Sequence, residues 1–93
     1  MDEMVPSEFY LSQNYPNPFK EKTTIKYCVP DKTLIKLNVL DADMKIIKEL
    51  ENEVREPGTY EVEFDGAEVA SGVFLYQLKV GSFIDTKKMM LMK

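Results

Sequence analysis

The sequence contains no histidine and no tryptophan, and its one cysteine is Cys28. Without histidine, neither a histidine-based catalytic triad nor a histidine-ligated metal site can form within the chain. A single cysteine cannot form an intrachain disulfide, so the fold depends on packing alone. The four glycines stand singly, and no glycine-rich phosphate-binding loop occurs. We therefore expect a non-catalytic protein with no catalytic residue, no cofactor and no metal site.

Basic charge and long apolar runs are also scarce. The formal net charge is −4, and Lys87-Lys88 is only a pair, whereas binding to phosphate backbones favours a basic face. We expect no nucleic-acid partner. No apolar run is long enough to span a bilayer, so we expect no membrane span. Residues 1–5 are acidic and lack the basic and apolar regions of a secretory signal, so an exported protein of this kind would need an export signal on a preceding segment.

The sequence does contain a regular alternation of apolar and polar residues, which is typical of half-buried strands. Turn residues separate these short runs at intervals of about 8–12 residues. The 93 residues therefore predict one all-β domain, an immunoglobulin-like antiparallel β-sandwich of about seven strands. The inward positions of the alternating runs predict a core of Ile25, Tyr27, Leu37, Val39, Tyr60, Val62, Phe64, Phe74, Tyr76 and Leu78.

Two segments are less regular. Residues 46–54 have apolar side chains near helical spacing, but the stretch is short and ends at Pro57-Gly58. We therefore expect a strand near residues 45–50, followed by an acidic loop. A single helical turn is expected near residues 69–71.

The most specific segment is the run Leu-Ser-Gln-Asn-Tyr-Pro-Asn-Pro-Phe at residues 11–19, which Thr23-Thr24-Ile25 follows. Its two prolines fix φ and lack an amide donor, so the segment cannot be a central strand. The residue before each proline is pushed towards an extended conformation. We expect a stiff, extended crossover between two strands, with Tyr15 and Phe19 as its apolar anchors.

This segment resembles the opening hallmark of the C-terminal sorting domain of the type IX (Por) secretion system. The related immunoglobulin-like domain of flagellar hook-capping proteins is similar. Residues 69–76 resemble the family's "ASGVYFY" strand, and residues 86–93 resemble its basic-then-apolar last strand. The resemblance covers residues 9–93, and residues 1–8 are interpreted as a linker or an added N-terminal remnant. The residues that match the family motif are Asn14, Tyr15, Pro16, Asn17, Pro18, Phe19, Ser71 and Gly72.

Two positions depart from the family pattern. Met44 stands where the family usually has a glycine, and Phe64 stands where a tryptophan is frequent. A glycine would permit positive φ, so Met44 predicts a different turn geometry. Phe64 exchanges one large core side chain for another.

The resemblance implies a C-terminal sorting signal that the type IX secretion machinery recognises. An attached upstream cargo domain of the same parent chain would be exported through the periplasm and across the outer membrane. The longer precursor would then be secreted or held at the cell surface. In the family the signal concentrates in the last strand, so the implied signal residues are Lys87, Lys88, Met89, Leu91 and Lys93. The alternative is a structural, adhesive or carbohydrate-binding module of an extracellular enzyme; flagellar hook assembly is a third interpretation.

Four further features of the sequence could suggest a chemical function, and each also has a structural interpretation. Asp41 and Asp43 could suggest a calcium loop, but the rest of such a loop is missing and a plain turn is favoured. Glu61, Glu63 and Asp65 alternate with core residues and are interpreted as a solvated strand face. The ten aromatic residues fall mostly on inward positions, which favours a core role over a sugar-binding platform. Cys28 is placed on the outward face as a small filler.

Overall fold

The computed structural model describes residues 8–93, apart from the side chain of Glu68. The predicted N-terminal linker at residues 1–8 therefore lies, except for Glu8, outside the described residues. Seven strands and one 3₁₀ turn follow one another along the chain: β1 (Tyr10–Leu11), β2 (Lys22–Val29), β3 (Thr33–Leu40), β4 (Ile46–Arg55), β5 (Gly58–Asp65), the turn Gly66–Glu68, β6 (Gly72–Val80) and β7 (Phe83–Leu91).

The seven strands form two sheets. One has three strands in the order β1-β2-β5, and the other has four in the order β4-β3-β6-β7. Every neighbouring pair is antiparallel. The prediction of an all-β sandwich of about seven antiparallel strands is confirmed. No helix in residues 8–93 has the length and apolarity needed to cross a bilayer.

The core lies between the two sheets, because successive side chains of a strand point to opposite faces. Eight of the ten predicted core residues are buried. The other two, Tyr60 and Val62, are half-buried and pack against the core from outside it. Both lie on β5, which is an edge strand of the three-stranded sheet and has a neighbour on only one side.

The strand predicted near residues 45–50 is shorter than the observed β4. The segment that we expected to be an acidic loop continues as strand to Arg55, paired with β3 from Leu40↔Ile46 to Thr33↔Arg55. Two register shifts along this pairing break the strict alternation, which explains why the sequence pattern is not clearly that of a strand. Cross-strand hydrogen bonding to β3 outweighs the weak strand propensity of the glutamates.

Arg55 at the end of β4 joins the two sheets. Its Nε donates a hydrogen bond to the hydroxyl of Tyr27 over 3.3 Å, and its guanidinium lies 5.0 Å from the ring centroid of Tyr60. A hydrogen-bonded ion pair with Glu51 holds the same group. The rings of Tyr27 and Tyr60 stack with centroids 5.5 Å apart. Burial raises the pKa of Tyr27, which keeps this hydroxyl neutral.

Two local expectations were wrong. The helical turn lies at Gly66–Glu68 rather than near residues 69–71, because the carboxylate of Asp65 accepts the amide of Ala67 and begins the turn there. Met44 does not change the turn after β3: it adopts the positive φ of 67° that a glycine would. The Asp41 carboxylate fixes this turn by accepting the amides of Asp43 and Lys45, each over 2.9 Å.

Candidate functional site at the C-terminal strand

The proline-containing crossover lies against the last strand. The amide of Phe19 donates to the carbonyl of Met90 over 2.9 Å, and the amide of Met92 donates to the carbonyl of Phe19 over 2.8 Å. Phe19 thereby forms a parallel bridge with Leu91. The amide of Met90 donates to Oδ1 of Asn17 over 3.0 Å. The structure thus brings two stretches together that the sequence separates by about 70 residues.

Asn14 organises the crossover from inside. It is buried, and its Nδ2 donates to Oγ1 of Thr23 over 2.8 Å and to the carbonyl of Pro16 over 3.2 Å. Thr23 also donates to the carbonyl of Pro16, over 2.8 Å. The sequence pattern predicts no role for Thr23. Thr23 is only 1% exposed, which is unusual for a polar residue and which only the fold reveals.

Gln13 makes a second contact that the sequence pattern does not predict. Its Nε2 donates to the carbonyl of Lys88 over 2.7 Å and to Oδ1 of Asn14 over 2.8 Å. Gln13 therefore connects the organising asparagine to the backbone of the last strand.

The two predicted anchors of the crossover behave differently. Phe19 is 1% exposed and meets Phe64 edge-on, with ring centroids 6.1 Å apart, so this anchor has the place expected for it. Tyr15 is 80% exposed, and its prediction as an anchor is wrong. Tyr15 bridges Thr24, whose side chain lies on the outer side of β2, and the ring therefore points to solvent.

The implied signal residues divide into buried and exposed ones. Met89 and Leu91 are each 1% exposed and belong to the core cluster. Lys88 lies on the outer face of β7 and is exposed, whereas Lys87 on the opposite face is half-buried. These alternating positions follow from the pleat of β7.

Lys93, which follows β7, contacts the 3₁₀ turn and the segment between that turn and β6. Its backbone amide donates to Oγ of Ser71 over 3.0 Å, and its Nζ donates to the carbonyls of Val69 and Ala67. Ser71 of the family motif thus contacts the C-terminal end of the domain. Gly72, the next residue, has φ of +153°, which favours glycine at this position.

Gly66 permits the close packing beneath this site. A Cβ at this position would lie 2.8 Å from Cδ2 of Leu91 and 3.2 Å from Cε2 of Phe19. The 2.8 Å distance is shorter than real Cβ contacts, so a side chain at position 66 would require Leu91 to move, whereas glycine permits the close packing of the crossover and the last strand.

Tyr76 ties β6 to the start of the crossover. Its ring is fully buried, and its hydroxyl donates to the carbonyl of Ser12. Burial raises the pKa of Tyr76 to about 12. The hydroxyl is consequently neutral and acts as a hydrogen-bond donor at physiological pH.

Glu61 and Cys28, which could suggest a chemical function, both make local structural contacts. Glu61 forms an exposed ion pair with Lys26 over 3.5 Å, consistent with a solvated face. Cys28 is half-buried, with its Sγ 3.5 Å from Oγ1 of Thr59. Within residues 8–93 no group of three or more potential metal-ligating side chains occurs.

The aromatic residues are mostly internal, as the alternation predicted. Of the ten, only Tyr10 and Tyr15 are exposed, at 57% and 80%. Both pair with β2 on the three-stranded sheet.

Comparison with known proteins identifies a family for this chain. No curated protein matches the chain. A model of the family described as "Secretion system C-terminal sorting domain" matches residues 13–92, from the glutamine that contacts Lys88 to the end of the last strand. The match includes both the crossover and β7. The chain therefore belongs to the family of secretion system C-terminal sorting domains, the sorting signals of type IX secretion.

Proposed function

We propose that the type IX secretion machinery binds this domain at its last strand and exports an attached cargo domain across the outer membrane. The domain itself catalyses no reaction. The cargo lies upstream in the same parent chain, and the precursor passes through the periplasm before it is secreted or held at the cell surface. Family membership supports the sorting role.

The observation that carries this proposal is the joint site of crossover and last strand. The crossover contacts the backbone of β7 through Phe19 and Asn17 of the family motif and through Gln13. β7 is also an edge strand of the four-stranded sheet. An edge strand can present backbone and side chains to a partner, and the crossover fixes its conformation beforehand.

The implied signal residues have different roles in this proposal. Lys88 is exposed on the outer face and offers a positive charge to the machinery. Lys87, on the other face, adds a second, half-buried charge. Met89 and Leu91 act through the core, because their side chains are buried. Lys93 fixes the end of the strand through its contacts with Ser71 and Val69.

The test is an export assay in a bacterium that has the type IX machinery. The domain is fused behind a fluorescent passenger with an N-terminal export signal, and passenger fluorescence is measured in the periplasm and outside the cell. Lys88→Glu should retain the passenger in the periplasm. Lys48→Glu is the matched control, because Lys48 is an exposed lysine on β4, the other edge strand of the same sheet. Thermal melts of both variants check the fold.

The outcomes separate the sorting role from the residue assignment. Retention of the unmodified fusion in the periplasm contradicts the sorting role. Equal export of the folded Lys88→Glu variant and its control contradicts the assignment of Lys88. Lys93→Glu is not suited to this test, because it would place a carboxylate against the carbonyls of Val69 and Ala67 and alter the fold locally.

Carbohydrate binding is the second candidate, and the exposed rings of Tyr10 and Tyr15 favour it. Exposed aromatic faces can stack on sugar rings. Affinity electrophoresis in gels that contain soluble polysaccharides would test it. A migration shift that the Tyr10→Ala/Tyr15→Ala double variant abolishes would support this role; unchanged migration of the wild type in every gel would contradict it.

A further inference from the structure

The exposed edge of β7 is divided into a covered half and an open half. The backbone groups of Met90 and Met92 that point away from β6 are bonded to Asn17 and Phe19. The carbonyl of Lys88 accepts the side chain of Gln13. In a strand, every second residue points its amide and carbonyl to the same side. Ile84 and Thr86 therefore direct both groups to this side, and Lys88 also directs its amide there.

These groups have no partner among residues 8–93. β7 pairs with β6 alone, and no hydrogen bond from the described part of the chain reaches the outward amides of Ile84, Thr86 and Lys88 or the outward carbonyls of Ile84 and Thr86. The open half extends over about 13 Å at the rise of an extended strand. It is long enough for about five residues of an added strand.

Within residues 8–93, no bulge, proline or covering segment protects the open half of the edge. β7 pairs with β6 over nine consecutive residue pairs from Phe83 to Leu91 without a register shift. The opposite edge strand, β4, carries two shifts, which disfavour addition of a further strand. The charged side chains of the open half are Lys88 on the outer face of the sheet and Asp85 and Lys87 on the opposite face. The regular geometry of β7 thus favours addition of a strand at its edge, whereas the register shifts of β4 disfavour addition at the opposite edge.

The charges of the open half select the partner. Lys87 and Lys88 are consecutive and lie on opposite faces of the sheet, and neither has an ion-pair partner within the described residues. An added strand with two consecutive acidic residues would meet both lysines at once, and a basic residue two positions further along would meet Asp85. Ile84, which is 53% exposed, would pack beside a β-branched residue of the added strand.

We infer that the open half of the β7 edge, Ile84 to Lys88, binds an extended segment with two adjacent acidic residues from a component of the secretion machinery, by strand addition. This inference rests on the proposed function for the identity of the partner. The added strand cannot continue along the covered half, because Asn17 and Phe19 already bond the backbone there. Backbone hydrogen bonds supply affinity, and the two lysines supply selectivity.

The test separates the Thr86 amide from the Thr86 side chain. Thr86→Pro and Thr86→Val both lose the hydrogen bond from Gln77 to the Thr86 hydroxyl, but only proline loses the outward amide. The probe is a blocked peptide that contains Glu-Glu-Thr-Lys-Val, and its control contains Lys-Lys-Thr-Glu-Val. Binding to the isotope-labelled chain is measured by NMR at about 1 mM peptide. The same two variants enter the export assay.

The inference predicts that the acidic peptide shifts the amide signals of Ile84 and Lys88, and that Thr86→Pro weakens binding at least tenfold relative to Thr86→Val. It is overturned by absence of binding, by equal binding of the control peptide, or by equal binding of the two variants. A dimer in sedimentation that only Thr86→Pro dissociates would identify a second copy as the occupant and overturn the machinery partner. Equal export of the Thr86→Pro and Thr86→Val fusions overturns the inference and leaves the proposed function standing. If the unmodified fusion is not exported, the proposed function is contradicted. The peptide titration then still decides whether the edge of β7 accepts an added strand.

Discussion

Phe19 and Leu91 form a parallel bridge that joins the proline-containing crossover to the last strand of the domain. Both side chains are 1% exposed and converge on Gly66. The family motif and the implied secretion signal are therefore parts of one packed unit. A substitution in the crossover should therefore destabilise the packing of the last strand, and the reverse should also hold. For this reason, an export assay of any such variant needs a folding control.

Gly66→Ala should destabilise the domain by about 1–3 kcal/mol, because the added Cβ would overlap with Leu91, whose buried side chain has little room to move. Chemical denaturation would measure this cost. The matched background is Leu91→Ala, in which the obstructing side chain is absent. If Gly66→Ala costs the same free energy of unfolding in both backgrounds, contact with Leu91 is not the cause.

Phe64→Ala should lower the free energy of unfolding by about 3–5 kcal/mol, because it removes a buried ring that packs edge-on against Phe19. Tyr15→Ala is the aromatic control and should change stability by less than about 0.5 kcal/mol, since its ring is exposed. Urea melts of both variants would check the pair. Similar losses for the two would contradict the core assignment.

Met44→Gly should raise the free energy of unfolding by about 0.5–1 kcal/mol. Met44 has φ of 67°, a conformation that costs a residue with a Cβ about 1 kcal/mol or more, and the flexibility of glycine in the unfolded chain offsets part of the gain. Met44→Ala keeps the Cβ and serves as the control. Thermal melts should show a higher Tm for glycine only; an equal rise for alanine would point to loss of the exposed methionine side chain instead.

Stability should fall at alkaline pH because of Tyr76. Its pKa is raised from 10.0 to about 12 in the folded domain, so the unfolded chain loses this proton first as the pH rises. The stabilisation is fully present below pH 10, and about 2–3 kcal/mol of it is lost as the pH rises through 12. Tyr76→Phe should be less stable at pH 7, because it loses the bond to Ser12, and should show a flatter decline between pH 10 and 12. An unchanged slope in pH-dependent urea melts would refute this account.

The amino-acid sequence by itself determined the strand architecture and the family. Period-two alternation places residues such as Ile25 and Phe74 on inward faces wherever a strand has a sheet neighbour on each side, and the proline-containing motif needs no tertiary information to be identified. The alternation is less informative for the edge strands β4 and β5, whereas β7 keeps it although it is also an edge strand. Tyr60 on β5 is half-buried and β4 is irregular, because an edge strand lacks one neighbour and tolerates register shifts.

Only the tertiary structure decided which residues of the crossover point inward and what the last strand contacts. Tyr15 and Phe19 look equivalent as aromatic residues beside prolines, yet one is exposed and the other buried, because Phe19 alone bridges to Leu91. The division of the β7 edge depends on hydrogen bonds between residues about 70 positions apart in the chain. Such long-range contacts follow from how the two sheets pack, and a local sequence pattern carries no information about them.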